Sequence, residues 1–269
     1  MLGAIIGDIV GSRFECTPAK TKDFQLFTED SCLTDDSMMT LAVGCACTRS
    51  DLSDEADFKS RVIYHMRKIG REYPFAGYGQ HFFRWLKNES MGPYNSFGNG
   101  SAMRVCPVAW SAQSLAEAER LAKWSAEVTH NHPEGIRGAQ AVSAAVYLAR
   151  VGKSKDEIRD YIEKNYYSLD FTLDQIRPAY RFDVTCQGSV PQAIRCFLEA
   201  ADFEDAIRNA VSLGGDADTQ AAMAGAIAEA FWGIPPLLKE EAFRRFSRKL
   251  RNYYDMICAN NESILGGQL

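Results

Sequence analysis

Signals for helix starts recur along this 269-residue chain, and they constrain its fold more than any other feature. Ser114 and Ser154 are each followed three residues later by glutamate, the capping-box pattern, and then by apolar residues at helical spacing. Pro133 and Pro191 each precede an apolar run, which suits the first turn of a helix. No convincing series of alternating strands and no hairpin signature accompanies them. The sequence therefore predicts an all-α protein.

Several helices can be given approximate limits from the periodicity of their apolar residues. The predicted helical segments include 133–150, 191–200, 218–232 and 240–252. At the start of the chain, Gly3, Gly7 and Gly11 recur at every fourth position and provide a smooth stripe on which another helix can lie close. The apolar run 2–10 is short, contains Asp8 and follows no basic residue. We therefore expect a buried first helix rather than a targeting or membrane-spanning segment.

Composition and organisation favour one domain in a reducing compartment. No repeat, low-complexity tract or Pro/Ser-rich linker divides the chain, so we expect a single compact multi-helix domain over residues 1–269. The net charge of -5 argues against a generic binder of nucleic acid or anionic membranes. Eight cysteines without a Cys-x-x-Cys pair indicate small, mostly buried thiols rather than a zinc site. A cytoplasmic location is expected.

Two acidic clusters, each at a predicted helix start, are the first candidates for chemistry. Either cluster alone fits a helix N-cap, where short polar side chains accept backbone N–H bonds. Together they offer four carboxylates and two hydroxyls, the hard oxygen ligands that Mg²⁺, Mn²⁺ and Ca²⁺ prefer. If the clusters converge, two divalent cations would balance their four negative charges. The residues are Thr34, Asp35 and Asp36 in the first cluster and Asp216, Asp218 and Thr219 in the second.

Three other polar segments are candidates for substrate contact. The stretch 96–101, with glycines at 98 and 100, can turn backbone N–H groups toward a phosphate, although an ordinary turn explains it equally well. Within it, Phe97 could stack on a base or cover the core. His130 could contact substrate or lie in a polar loop that opens the next helix. Glu15, at the mouth of an irregular loop, could serve as a movable acid or base or be an ordinary surface residue.

Five short motifs follow one another along most of the chain. They are Gly7-Asp8-x-x-Gly11-x-x-x-Glu15, Thr34-Asp35-Asp36, Gly98-Asn99-Gly100-x-x-Met103-Arg104, Thr129-His130 and Gly215-Asp216-x-Asp218-Thr219. In this order they resemble the ADP-ribosylglycohydrolase family, which includes the dinitrogenase-reductase-activating glycohydrolases. The resemblance implies an all-α fold with a cleft that holds a binuclear magnesium or manganese centre.

The resemblance also implies a role for each motif. Glu15 would approach the distal ribose of ADP-ribose, and catalysis would depend on Glu15 together with Asp35 and Asp218. His130 would lie against a phosphate or ribose of the substrate. The implied ligands of the two Mg²⁺ or Mn²⁺ ions are Thr34, Asp35, Asp36, Asp216, Asp218 and Thr219. The implied contacts to the pyrophosphate and adenosine are Ser96, Phe97, Gly98, Asn99 and Gly100.

The function expected from the resemblance is metal-dependent hydrolysis of the glycosidic bond between ADP-ribose and an acceptor. The partner would be an ADP-ribosylated protein, modified on a side chain such as arginine or serine, or an ADP-ribosylated small molecule. Some arginine-directed members carry an acidic residue where this chain has Ser96, so the acceptor stays open. Two alternatives also remain: hydrolysis of free nucleosides, and binding of ADP-ribose without catalysis.

Overall fold

A computed structural model describes the backbone of residues 1–265 and the side chains of residues 1–259, so the last four residues of the predicted domain 1–269 lie outside it. Over the described backbone there are fifteen α-helices, one 3-10 turn (Ser12–Phe14), one isolated bridge between Gly98 and Thr185, and no strand. The all-α prediction is confirmed. The helices are α1 (Leu2–Gly11), α2 (Asp35–Cys47), α3 (Glu55–Glu72), α4 (Gln80–Lys87), α5 (Gly100–Met103), α6 (Cys106–Ser111), α7 (Leu115–Glu127), α8 (Pro133–Arg150), α9 (Lys155–Asn165), α10 (Leu173–Ile176), α11 (Cys186–Glu199), α12 (Phe203–Ser212), α13 (Ala217–Trp232), α14 (Pro236–Phe243) and α15 (Arg248–Leu265).

Helix α13 is the centre of the molecule. Every residue from Ala217 to Ala228 is buried, and α1, α8, α11 and α12 pack around this stretch. Its alanine-rich sequence favours the helix and leaves little side-chain volume, so neighbouring backbones come close. A single connected hydrophobic core results, and its central helix begins with Asp218 in the first turn.

The glycine stripe of α1 lies directly on α13, as the spacing predicts. A Cβ atom added at Gly7 would be 2.0 Å from the carbonyl oxygen of Ala221, and one at Gly3 would be 2.2 Å from that of Gly225. All ten residues of α1 are buried. The two helices therefore meet backbone to backbone, which only residues without a side chain permit.

Replacing Gly7 by alanine is expected to destabilise the protein by about 1–3 kcal/mol, because the new methyl group must push α1 away from α13. The free energy of unfolding, measured by denaturant titration, checks this value. Gly92→Ala is the matched control, since a Cβ at Gly92 meets nothing within 4 Å. Equal stability of the two variants would contradict the close contact.

Two predicted helix limits are wrong. Pro191 lies in the second turn of α11 and does not begin it, because Thr185 caps this helix by accepting a hydrogen bond from the Gly188 N–H. The predicted segment 240–252 is two helices, α14 and α15, which are separated by residues 244–247. Ser247 starts the second, and its Oγ accepts from the N–H of Leu250 at 3.2 Å. A serine within an apolar periodicity therefore marks a new helix start.

The capping and cysteine predictions fare better. Ser154 forms the full reciprocal capping box, whereas Ser114 caps its helix while the Glu117 carboxylate turns to the N–H of Gln113 instead. All eight cysteines are free thiols; five are buried, and Cys16 and Cys32 are exposed.

Among the described helices, none combines the length and apolarity needed to cross a membrane. The cytoplasmic location stays a prediction.

Candidate active site

The two acidic clusters converge on one cleft. Helices α2 and α13 both begin at its floor, and carboxylate oxygens of Asp36, Asp218 and Asp8 lie within 4.8 Å of one another. The Thr219 hydroxyl bridges the clusters by donating to Asp36 Oδ2 at 3.2 Å. The cleft has a volume of about 620 Å³. The sequence-predicted residues that line it are Glu15, Asp35, Asp36, Ser96, Phe97, Gly98, Asn99, Gly100, His130, Asp216, Asp218 and Thr219.

The alternative interpretation of the two clusters as helix N-caps holds for Thr34 but not for the carboxylates. Thr34 caps α2, since its Oγ1 accepts a bond from the N–H of Asp36. Asp216 occupies the N-cap position of α13, but its carboxylate makes no capping bond there. It accepts instead from the amide of Asn99 at 2.7 Å. The acidic side chains thus face the cleft, whereas Thr34 lies behind it, and its place as a metal ligand stays a prediction.

Asp8 is the acidic residue of this site that the cluster analysis missed. It is fully buried in α1, where Oδ1 accepts from Thr34 Oγ1 at 2.7 Å and Oδ2 accepts from the N–H of Thr34 and from both the N–H and hydroxyl of Ser37. These bonds hold the first turn of α2 against α1. Asp8 therefore orients the cluster that contains Asp36.

The carboxyl groups of the site are crowded together and have no basic partner within ion-pair distance among the described side chains. Burial raises the pKa of Asp35 to about 8, and the charges of Asp8 and Asp216 add to this rise. Burial, and then the charge of Asp218, raises the pKa of Asp36. Burial, and then the charge of Asp216, raises the pKa of Asp218. No lysine or arginine among residues 1–259 forms an ion pair with these carboxylates. Such an arrangement calls for cations.

An unpartnered oxygen in the acidic floor is a second observation that fits divalent cations. Asp36 Oδ1 is buried and has no hydrogen-bond partner within the described side chains. Leaving a buried carboxylate oxygen without a partner is costly, and a hard cation satisfies it directly. Asp36, Asp218 and the neighbouring oxygens of Asp35, Asp216 and Thr219 are thus the residues that could hold metal.

The opposite wall is the stretch 96–100 predicted to contact phosphate. Its backbone pairs with the segment before α11: the N–H of Asn99 donates to Val184 O at 2.8 Å, and the N–H of Cys186 donates to Phe97 O at 2.9 Å. These bonds fix the loop along the cleft, and the N–H groups of Gly98 and Asn99 are both used within the protein, the former by Ser96 Oγ at 3.2 Å. Phe97 does not cover the core, because it is 46% exposed and lies edge-on to His132 at the rim.

Glu15 stands at the cleft mouth on the loop that links α1 to α2. Glu15 is exposed, and the partial burial of its carboxyl group raises its pKa, with smaller contributions from the charges of Asp216 and Asp8. The loop is tied to the body of the protein beyond this point. Lys20 Nζ donates to three backbone carbonyl oxygens, at Arg177, Tyr180 and Leu213. Glu15 thus lies beside the acidic floor of the cleft.

Arg104 is a second residue of the site for which the sequence suggested no role. Its side chain is 1% exposed, lines the cleft, and donates from Nη2 to Thr129 Oγ1. The sequence shows Arg104 in the motif with Gly98-Asn99-Gly100, but it does not show that this cation is buried in the wall of the cleft.

Known proteins share both the sequence pattern and the fold. The family model for ADP-ribosylglycohydrolase matches residues 1–258. Human ADP-ribosylhydrolase ARH3 is 28% identical, over 87% of this chain and 84% of that protein. ADP-ribosylarginine hydrolase Tri1 of Pseudomonas putida is 25% identical, over 93% of this chain and 75% of that protein. A solved ADP-ribosylglycohydrolase-related protein complex superposes with a TM-score of 0.69 at 20% identity, covering 97% of this chain and 95% of that one.

Proposed function

The chain belongs to the ADP-ribosylglycohydrolase family, and from this premise we propose that it hydrolyses the glycosidic bond between ADP-ribose and an acceptor with the help of two divalent cations, Mg²⁺ or Mn²⁺. The observation that carries the proposal is the convergence of the two acidic clusters on a cleft of about 620 Å³, with no ion pair to a lysine or arginine among residues 1–259. The names of two relatives, ADP-ribosylhydrolase and ADP-ribosylarginine hydrolase, agree with it.

The cations belong at the floor of the cleft. Asp8 stays behind the cluster, where its hydrogen bonds to Thr34 and Ser37 fix the start of α2. Bound there, divalent cations supply charge stabilisation and orientation for ribose hydroxyls or a water molecule. The proposed ligands are Thr34, Asp35, Asp36, Asp216, Asp218 and Thr219.

The remaining chemistry is assigned to groups on the walls. The stretch 96–100, with His130, binds the pyrophosphate and adenosine of ADP-ribose, because these residues together line the wall of the cleft. Glu15, at the mouth, either takes a proton from the attacking water or gives one to the departing acceptor. The positive charge that builds on the ribose as the bond breaks is stabilised by the nearby carboxylates.

Turnover of defined ADP-ribosyl linkages tests the proposal. We expect metal-loaded protein to release ADP-ribose from ADP-ribosyl-arginine, ADP-ribosyl-serine or an ADP-ribosylated small molecule, and chelator to abolish release because the acidic floor is then uncompensated. Chromatography of released ADP-ribose measures the rate, and the linkage cleaved identifies the acceptor.

Two outcomes would contradict the proposed hydrolysis. Tight ADP-ribose binding in calorimetry without turnover of any linkage would mean that the protein is a binder. Equal rates with chelator and with Mg²⁺ or Mn²⁺ would mean that the acidic floor works without cations. Circular dichroism after chelation serves as the control that the protein stays folded.

A further inference from the structure

Arg104 is buried in the cleft wall without a carboxylate partner among residues 1–259. Its guanidinium lies 5.7 Å from the centre of the Phe82 ring, and its polar contact is the 2.8 Å bond from Nη2 to Thr129 Oγ1. Burial lowers the pKa of Arg104 to about 10, which leaves it charged at neutral pH. A buried cation without a counter-ion costs stability, so its position needs a reason beyond packing.

The bond from Arg104 determines what the Thr129 hydroxyl can do. Thr129 Oγ1 also lies 2.7 Å from His130 Nδ1, and it has no third partner within the described side chains. Arg104 can only donate, and a hydroxyl has one proton to give. Arg104 occupies one of the two lone pairs of the hydroxyl. If Nδ1 donated to the other, the buried hydroxyl proton would have no acceptor, so the satisfied arrangement is the one in which the hydroxyl donates to Nδ1. The imidazole proton is then on Nε2.

We propose that Arg104 and Thr129 are positioning residues that hold His130 as the neutral tautomer with its proton on Nε2, so that it donates an N–H to a phosphate oxygen of the substrate beside the loop 96–100. This inference rests on the proposed function for the identity of the ligand, a nucleoside diphosphate sugar. The tautomer itself rests on the three side chains alone.

The surroundings of Nε2 agree with this assignment. A Cβ added at Gly100 would lie 3.2 Å from Nε2, and one added at Gly98 would lie 3.6 Å from it. Because both positions are glycine, Nε2 can lie close to the backbone of the loop. Burial, and then the charge of Arg104, lower the pKa of His130, which keeps the ring neutral. The opposite tautomer would turn a lone pair toward an anion and repel it.

Nitrogen NMR of the full chain reads the tautomer directly. The chain has four histidines, so labelling with ¹⁵N-histidine gives few signals, and His130→Gln assigns the one of interest. We expect wild-type protein, metal-loaded and without substrate, to show His130 protonated on Nε2 and bare on Nδ1. Protonation on Nδ1, or on both nitrogens at neutral pH, would overturn the proposal whatever the variants do.

Thr129→Val removes the hydroxyl with little change of shape and tests the coupling to binding. We expect a mixture of tautomers and a Kd for ADP-ribose that is weaker by about tenfold or more, since hydrogen bonds to charged groups are the strong ones. Thr129→Ser keeps the hydroxyl and should restore both the tautomer and the affinity. An unchanged tautomer and Kd in Thr129→Val would refute the role of Thr129.

The two proposals fail in different ways. If wild-type protein does not bind ADP-ribose at all, the proposed function fails, while the NMR spectrum still decides the tautomer. If it binds ADP-ribose with His130 in the other tautomer, the function stands and the present inference fails. If Thr129→Val does not fold, the wild-type spectrum and Thr129→Ser keep the test complete.

Discussion

Asp218→Asn is expected to abolish metal binding, to lower activity by more than about 100-fold, and to raise the melting temperature of the metal-free protein. Loss of an outer-shell partner of a metal ligand already costs up to about 100-fold, so loss of a ligand costs more. The stabilisation has a separate cause. Burial and the charge of Asp216 raise the pKa of Asp218, so its ionised form is unfavourable in the folded metal-free protein.

The increase in melting temperature expected for metal-free Asp218→Asn depends on pH in a definite direction. A carboxylate with a raised folded-state pKa stabilises the fold at low pH and loses that contribution as the pH rises from the unfolded pKa toward the folded one. Asparagine does not titrate. The melting temperature of metal-free Asp218→Asn should therefore exceed that of metal-free wild type by a margin that grows from about pH 4 upward.

Calorimetric titration with Mg²⁺ or Mn²⁺, melting curves with and without metal, and turnover measure the three effects. Asp202→Asn is the matched control: Asp202 is exposed, caps α12 by accepting from the N–H of Asp205, and asparagine caps equally well. It should behave as wild type. An unchanged Kd for Mg²⁺ or Mn²⁺ in Asp218→Asn would rule out a role of this carboxylate as a ligand.

Glu15→Gln is expected to lower kcat by about 10²–10⁴-fold while metal binding and the Kd for ADP-ribose change little. The reason is that Glu15 stands at the mouth of the cleft and not in the acidic floor. Glutamine keeps the size and polarity of the side chain but cannot exchange a proton at neutral pH. Stopped-time turnover and calorimetry separate the catalytic loss from any loss of binding.

The pH profile shows which way Glu15 moves a proton. Burial raises its pKa above the usual glutamate value, so the limb of the kcat profile that belongs to it is displaced to higher pH. If Glu15 acts as a base, kcat increases through this limb as the pH rises. If it acts as an acid, kcat decreases as the pH rises. The limb should be absent in Glu15→Gln and present in Glu29→Gln, an exposed glutamate on the same loop. Wild-type kcat in Glu15→Gln would exclude both roles.

Local sequence signals predicted the parts of the site that depend on neighbours in the chain. The Thr34 cap and the glycine stripe follow from a few adjacent residues, and both are present. Asp8 was visible as a charge inside an apolar run, yet it served to exclude a membrane span and not to indicate a site. A buried carboxylate always needs partners, and that rule would have found it.

Other parts of the site depend on contacts between distant segments, which the sequence does not encode locally. The three carbonyl oxygens that bind Lys20 come from residues more than 150 positions away. The chain Arg104, Thr129 and His130 joins α5 and its C-cap to the loop before α8. The early start of α11 likewise depends on Thr185, whose capping pattern lacks the glutamate that marked Ser154.

The seam between α1 and α13 has a consequence for how this protein can diversify or be redesigned. It fixes Asp8 and Asp218 on two helices where an added methyl group at the contact costs stability, so the floor of the cleft is resistant to sequence drift. The rim is made of loops, including residues 15–34 and 88–99, and surface loops accept exchange and insertion. New acceptor preferences can therefore arise from changes in the loops of the rim, while the acidic floor stays the same.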